Sequence, residues 1–174
     1  MSRALILIDM QRDFASPDGA MARQGHDMTR VPGALDRAQV LAASARRAHV
    51  PVIFVRLIAD AVCVSGTPGA DFVGVQPQAG EAIFTKARYS AFTGTGLGDH
   101  LRRHGITMVV LAGLTTDCCI QASAWAAFEE GLSVVIAVDA CAAYDKGLHD
   151  AALRALQASG AVLMDSENLA QDFK

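Results

Sequence analysis

Short runs that are apolar at nearly every position, rather than at every second one, recur along this chain and are separated by stretches of helical length. RALILI (3–8), VIFVRL (52–57), ITMVVLAG (106–113), LSVVIAVDA (132–140) and AVLMD (161–165) are such runs, and EAIFT (81–85) is a weaker one. A strand apolar on both faces must be covered on both faces, which predicts a parallel sheet held between two helical layers. The intervening segments supply those layers. Residues 34–48 place Leu35, Ala38, Leu41, Ala42 and Ala45 on one stripe, the spacing of a helix with a single buried face. Helices are predicted over 95–104, 117–130, 147–160 and 166–173, the third closed by Gly160 as a C-terminal cap. Residues 15–33 and 60–80 are broken by Pro and Gly and read as loops. A connection as long as the second is usually functional or disordered in a compact domain. No repeat, low-complexity tract or linker interrupts the pattern, so residues 1–174 are expected to form one domain.

Composition removes several classes of function. With 52% hydrophobic and 19% charged residues the chain is not intrinsically disordered. Fifteen Lys and Arg against 18 Asp and Glu leave a net charge of -3, which argues against a general nucleic-acid binder or a polybasic membrane patch. No apolar run reaches the roughly 18 residues of a membrane-crossing helix. The opening MSRALILIDMQRDF lacks the cationic flank, apolar stretch and cleavage site of a secretory leader. A cytoplasmic location is therefore expected, with Cys63, Cys118, Cys119 and Cys141 reduced. Their spacing matches no zinc or redox pattern.

In an open parallel sheet, ligands bind outside the carboxyl ends of the strands. Asp9 ends the first apolar run, Lys86 follows 81–85, Gly113–Cys119 follow 106–112, and Asp139 ends the run at 132–138. A carboxylate, an amine and two thiols could therefore meet at one edge. In LAGLTTDCCIQASAWAAF (111–128) a buried strand runs through a turn into a helix. A thiol in the first turn of that helix would feel the helix dipole and the free N–H groups, which lower a thiol pKa and can hold an oxyanion. Each residue also has a structural reading: Cys118 and Cys119 as small packing residues, Asp9 as a satisfied buried group, Lys86 as a surface residue. Cys63 and Cys141 are read as packing residues. Asp117 and Asp139 are read as ties between loops and backbone donors, and Gln11 and Asp13 as groups that orient the first loop or Lys86. Phe14, Tyr89 and Trp125 are candidate pocket walls, with a subunit contact as the other reading of Trp125. His100 and His104 have metal-compatible spacing, but sit on a charged, solvated stretch.

LILIDMQRDF, TKARYSAF and AGLTTDCCIQAS, in this order, resemble the three signature segments of the isochorismatase-like cysteine hydrolase family, and GTPGAD (66–71) and VDACAAYD (138–145) resemble further family segments. The resemblance covers nearly the whole chain. It implies a Rossmann-like α/β three-layer sandwich, with a six-stranded, mostly parallel sheet and helices on both faces. It implies a Cys-Asp-Lys triad: Asp9 in the hydrophobic-D-x-Q-x-D-F segment, Lys86 before Ser-Ala-Phe, and a nucleophile at Cys119 when the third segment is aligned on Gly113, Thr116 and Ile120. Cys118 then takes the variable position before the nucleophile. The resemblance also implies a cis peptide at Leu114–Thr115, an oxyanion hole from the backbone N–H groups of Thr115 and Cys119, and a homo-oligomer.

The activity so implied is hydrolysis of a C–N bond in a small amide, carbamoyl or ureido compound through a thioester. The alternatives are a vinyl-ether hydrolase, as in the true isochorismatases, and a non-catalytic binding module on the same fold. Nicotinamidase-like members carry an Asp-x-His cluster for a divalent metal after the second strand. Here that stretch is VRLIADAVCVSG (55–66), with Asp60 and no histidine between His49 and His100. No metal and no other cofactor are expected, and the expected partner is a small-molecule substrate.

Overall fold

The computed structural model describes residues 2–173. In chain order the elements are β1 (Arg3–Ile8), α1 (Arg12–Ala15), α2 (Ala20–Arg23), α3 (Val31–Arg47), β2 (Val52–Leu57), β3 (Ala82–Lys86), α4 (Leu97–Arg103), β4 (Met108–Leu114), α5 (Gln121–Glu129), β5 (Ser133–Ala142), α6 (Lys146–Ala158), β6 (Val162–Met164) and α7 (Ser166–Asp172). A 3-10 turn spans Pro68–Ala70, and a π-helical turn, Thr116–Ile120, leads directly into α5. The six strands form one sheet in the order β3-β2-β1-β4-β5-β6, and every neighbouring pair is parallel.

The apolar runs explain the layering. Along β1, Ala4, Ile6 and Ile8 face one core and Leu5 and Leu7 the other, the period-two alternation of a pleated strand. The first core receives Leu97 and Leu101 of α4, Ala124 and Ala127 of α5 and Leu156 of α6. The second receives Ala38, Leu41, Ala42 and Ala45 of α3 and Leu169 of α7. Leu5, Ile6, Leu7 and Ile8 are at most 1% exposed, and burying such a side chain fully stabilises the fold by about 1.5–3 kcal/mol. The result is the α/β three-layer sandwich expected, with a sheet that is parallel throughout.

From β1 the chain builds outward through β2 to β3, then returns to the other side of β1 for β4, β5 and β6. The order reverses between β1 and β4, and a crevice opens there at the carboxyl ends of the strands. Gly113 lets the two strands close on each other at that point. Its φ is 132°, and a Cβ there would lie 2.0 Å from the Ile8 carbonyl oxygen.

The two expected loops hold more structure than their composition indicates. Residues 15–33 contain α2 and the first turn of α3. Pro32 and Gly33 sit inside that turn, where the missing proline N–H would be unpaired in any case. The 58–81 connection crosses back over the sheet edge: Arg12 N–H donates to the Asp71 carbonyl and Val73 N–H to Met10, both at 2.9 Å. Asp139 lies inside β5 rather than at its end, because the strand continues to Ala142. Its carboxylate accepts the Ser166 N–H and hydroxyl, each at 2.7 Å, and so anchors the start of α7. No helix among the described residues is long and apolar enough to cross a membrane.

Candidate active site

Three segments deliver chemistry to the crevice. The first is the end of β1. Asp9 donates its backbone N–H to the Val55 carbonyl and then turns with φ of 53°, a left-handed conformation that Asp tolerates better than most side chains. Its carboxylate is 1% exposed. The second is the end of β3, where Lys86 is wholly buried. The third is the turn after β4, with a cis peptide between Leu114 and Thr115 followed by the π-helical turn that carries Cys118 and Cys119.

The Lys86 ammonium is the hub. It lies 2.7 Å from Asp9 Oδ2, and donates to the Cys119 sulfur at 3.3 Å and to the Arg88 carbonyl at 2.9 Å. Apart from that ammonium, neither Asp9 oxygen has a hydrogen-bond partner of normal geometry among the described residues. The two vicinal thiols have separate environments. Cys119 is buried beside Lys86, whereas Cys118 is exposed, and its sulfur lies 3.9 Å from Asp117 Oδ2. Ser123, fully buried on α5, couples the segments that flank the lysine and the thiol. Its hydroxyl donates to the Cys119 carbonyl at 2.6 Å and accepts the Ala91 N–H at 2.8 Å.

Burial dominates the electrostatics. It pushes the Asp9 carboxyl above the usual carboxylate range, and the Lys86 charge and the neighbouring thiol pull it back only in part. Burial also pushes the Cys119 thiol up, and the Asp9 charge adds to that effect. The direction is opposite to the lowering expected at a helix start, because desolvation, reinforced by a carboxylate at close range, disfavours the thiolate. The protonated thiol of Cys119 is favoured, with the Asp9 carboxyl group beside it. Burial pushes Cys63 and Cys141 up to about 12 each, consistent with unreactive packing residues.

A cavity of about 650 Å³ opens onto this group, within the range of small-molecule sites. Asp9, Lys86, Thr115 and Cys119 line its floor, and Phe14, Met21, Leu57, Val62, Tyr89 and Tyr144 line its walls. Trp125 is 46% exposed and lines no part of this cavity. Ile120, Ala124 and Ala127 form the inward stripe of that helix, so Trp125 is rotated outward. Tyr144, Met21 and His26 were not anticipated. Tyr144 follows the end of β5, where the strand-end rule points; Met21 and His26 sit in a segment with no periodic signal. Gln11 and Asp13 serve the loops. Gln11 exchanges two 2.8 Å bonds with the Leu57 backbone and reaches the Ala70 carbonyl, while Asp13 accepts the Ala20 and Cys63 N–H groups.

A parallel α/β fold with a buried thiol, carboxylate and ammonium at its topological switch point defines a class of hydrolase-like proteins. The isochorismatase domain model matches residues 3–168, and the chain belongs to that family. It is 30% identical to nicotinamidase 3 of Arabidopsis thaliana over 95% of this chain and 86% of the relative, and 29% identical to a ureidoacrylate amidohydrolase of Methylobacterium radiotolerans over 86% and 70%. An isochorismatase family protein of Desulfovibrio vulgaris superposes with a TM-score of 0.87 at 30% identity, covering 98% of this chain and 97% of that one. A pyrazinamidase of Pyrococcus horikoshii solved in complex with zinc superposes with a TM-score of 0.82 at 25% identity, covering 95% and 99%. The residues of this chain do not fit such a metal. Among the described residues, no three His, Cys, Asp or Glu side chains gather closely enough to hold an ion. His104 Nδ1 instead bonds the His100 carbonyl at 2.8 Å on α4.

Proposed function

We propose that the protein is a metal-independent cysteine amidohydrolase that cleaves the C–N bond of a small amide, carbamoyl or ureido compound. The observation that carries this reading is the Lys86 ammonium in contact with both Asp9 and the Cys119 sulfur, at the floor of an open cavity. The named relatives, which are amidohydrolases, support the reaction class.

Asp9 takes the thiol proton as the Cys119 sulfur attacks the substrate carbonyl. The raised Asp9 pKa makes it a stronger base than an exposed aspartate, while Lys86 keeps it ionised and oriented. The N–H groups of Thr115 and Cys119 hold the tetrahedral oxyanion, and one such donor is typically worth about 3 kcal/mol in the transition state. Asp9 returns the proton to the nitrogen as the C–N bond breaks, and ammonia or an amine leaves. Water, deprotonated by Asp9, then attacks the thioester, and the acid leaves as the thiol is restored.

Cys119→Ala is expected to abolish ammonia release from an amide panel, and Cys118→Ala to retain most of it. Mass spectrometry of wild type trapped during turnover should show an acyl adduct at residue 119. Full activity in Cys119→Ala, on amides or on a vinyl ether, would refute the mechanism.

A further inference from the structure

Lys86 cannot serve as an anchor for a substrate carboxylate. An ammonium has three N–H donors, and those of Lys86 are directed at Asp9, Cys119 and the Arg88 carbonyl. Next to the exposed Cys118 thiol, Asp117 lines the cavity half-buried and takes part in no ion pair among the described residues. With the Asp9–Lys86 pair neutral overall, the other charged side chains of the lining are Asp117 and Arg88. The remaining walls are largely apolar, and the ring of Tyr144 packs on His26 with centroids 4.9 Å apart. Arg88 belongs to the exposed 87–89 segment, so its guanidinium is not a buried cation, and it too takes part in no ion pair among the described residues.

Resting on the amidohydrolase reading of the same site, we propose that the substrate is an amide whose acyl group is uncharged and apolar, seated among Phe14, Met21, Val62 and Tyr144, and that carboxylate-bearing amides are rejected. An anionic acyl group would be desolvated beside Asp117 with no buried cation to pair with, and a site that leaves a charge unpaired discriminates strongly. The cavity therefore differs in kind from one built for the ureidoacrylate named for the Methylobacterium relative.

The test separates binding from turnover. Calorimetry on Cys119→Ala measures the affinities of benzamide and isobutyramide against maleamate and succinamate, while ammonia release by wild type reads the chemistry. The uncharged amides are expected to bind at least tenfold more tightly, and Asp117→Asn to narrow that ratio severalfold by improving the binding of the anionic amides. Equal or tighter binding of the anionic amides overturns the proposal, as does a tenfold loss of their affinity in Arg88→Gln, which would make that arginine an anion anchor. A clear preference for uncharged amides without ammonia release would leave the ligand preference standing and remove the hydrolase reading instead.

Discussion

Lys86 holds the site together by satisfying two groups that would otherwise be costly to bury. Removing one partner of a buried ion pair typically costs 3–5 kcal/mol, because the other charge is left uncompensated. Lys86→Met is therefore expected to abolish activity and to lower stability by about that amount at neutral pH, measured by urea melts. The penalty should depend on pH. Burial already raises the Asp9 pKa with lysine present, and the substitution raises it further. Below the unfolded-state value of about 3.9, Asp9 is protonated in both states and the charge penalty vanishes; it grows as pH rises above that value and levels off above the raised folded value. The same raised carboxyl sets the acid limb of catalysis. Activity in the wild type should fall as pH drops through a value above the ordinary Asp range, and a kcat/KM profile should show that limb. Iodoacetamide labelling of Cys119 should be slow at neutral pH and climb into the alkaline range, since desolvation keeps the thiol protonated.

At the scale of elements, the crevice depends on how closely β1 and β4 approach. The Gly113 Cβ position lies 2.0 Å from the Ile8 carbonyl oxygen, inside any permissible contact, and its φ of 132° is strained for an L side chain. Gly113→Ala must push the two strands apart just where Asp9 and Thr115 leave them. The expected cost is about 3 kcal/mol or more in a denaturant melt, with activity reduced by at least tenfold even where the variant folds. Asp9 and the Cys119 turn are carried by these two neighbouring strands, so a shift of 1 Å between them separates base from nucleophile.

Across the whole molecule, the cavity wall is assembled from segments far apart in sequence and pinned together by buried polar groups. Asp13 accepts the Cys63 N–H at 2.7 Å and the Ala20 N–H at 3.1 Å, tying the 58–81 connection to the segment that carries Phe14 and Met21. Gly69 passes so close that its Cβ would meet the Asp13 carboxylate at 2.3 Å. Asp13→Ala frees both N–H groups and is expected to raise KM severalfold while changing kcat less, because it loosens the wall without touching the reacting atoms; steady-state kinetics with a saturable amide separates the two effects. The strands, the two helical layers and the reactive edge were legible in the sequence, since runs apolar on both faces have one stable environment and that environment sets where ligands bind. The positions of Asp9, Lys86 and Cys119 were legible as strand ends and as family segments. The direction of the thiol pKa was not: it depends on burial and on a carboxylate 110 residues away in sequence, neither of which has a local signature. Nor were the outward turn of Trp125 and the inward placement of Tyr144, Met21 and His26. A side chain's spacing along its own segment says which residues share a face, but only the packing of all segments together decides which face meets the cavity.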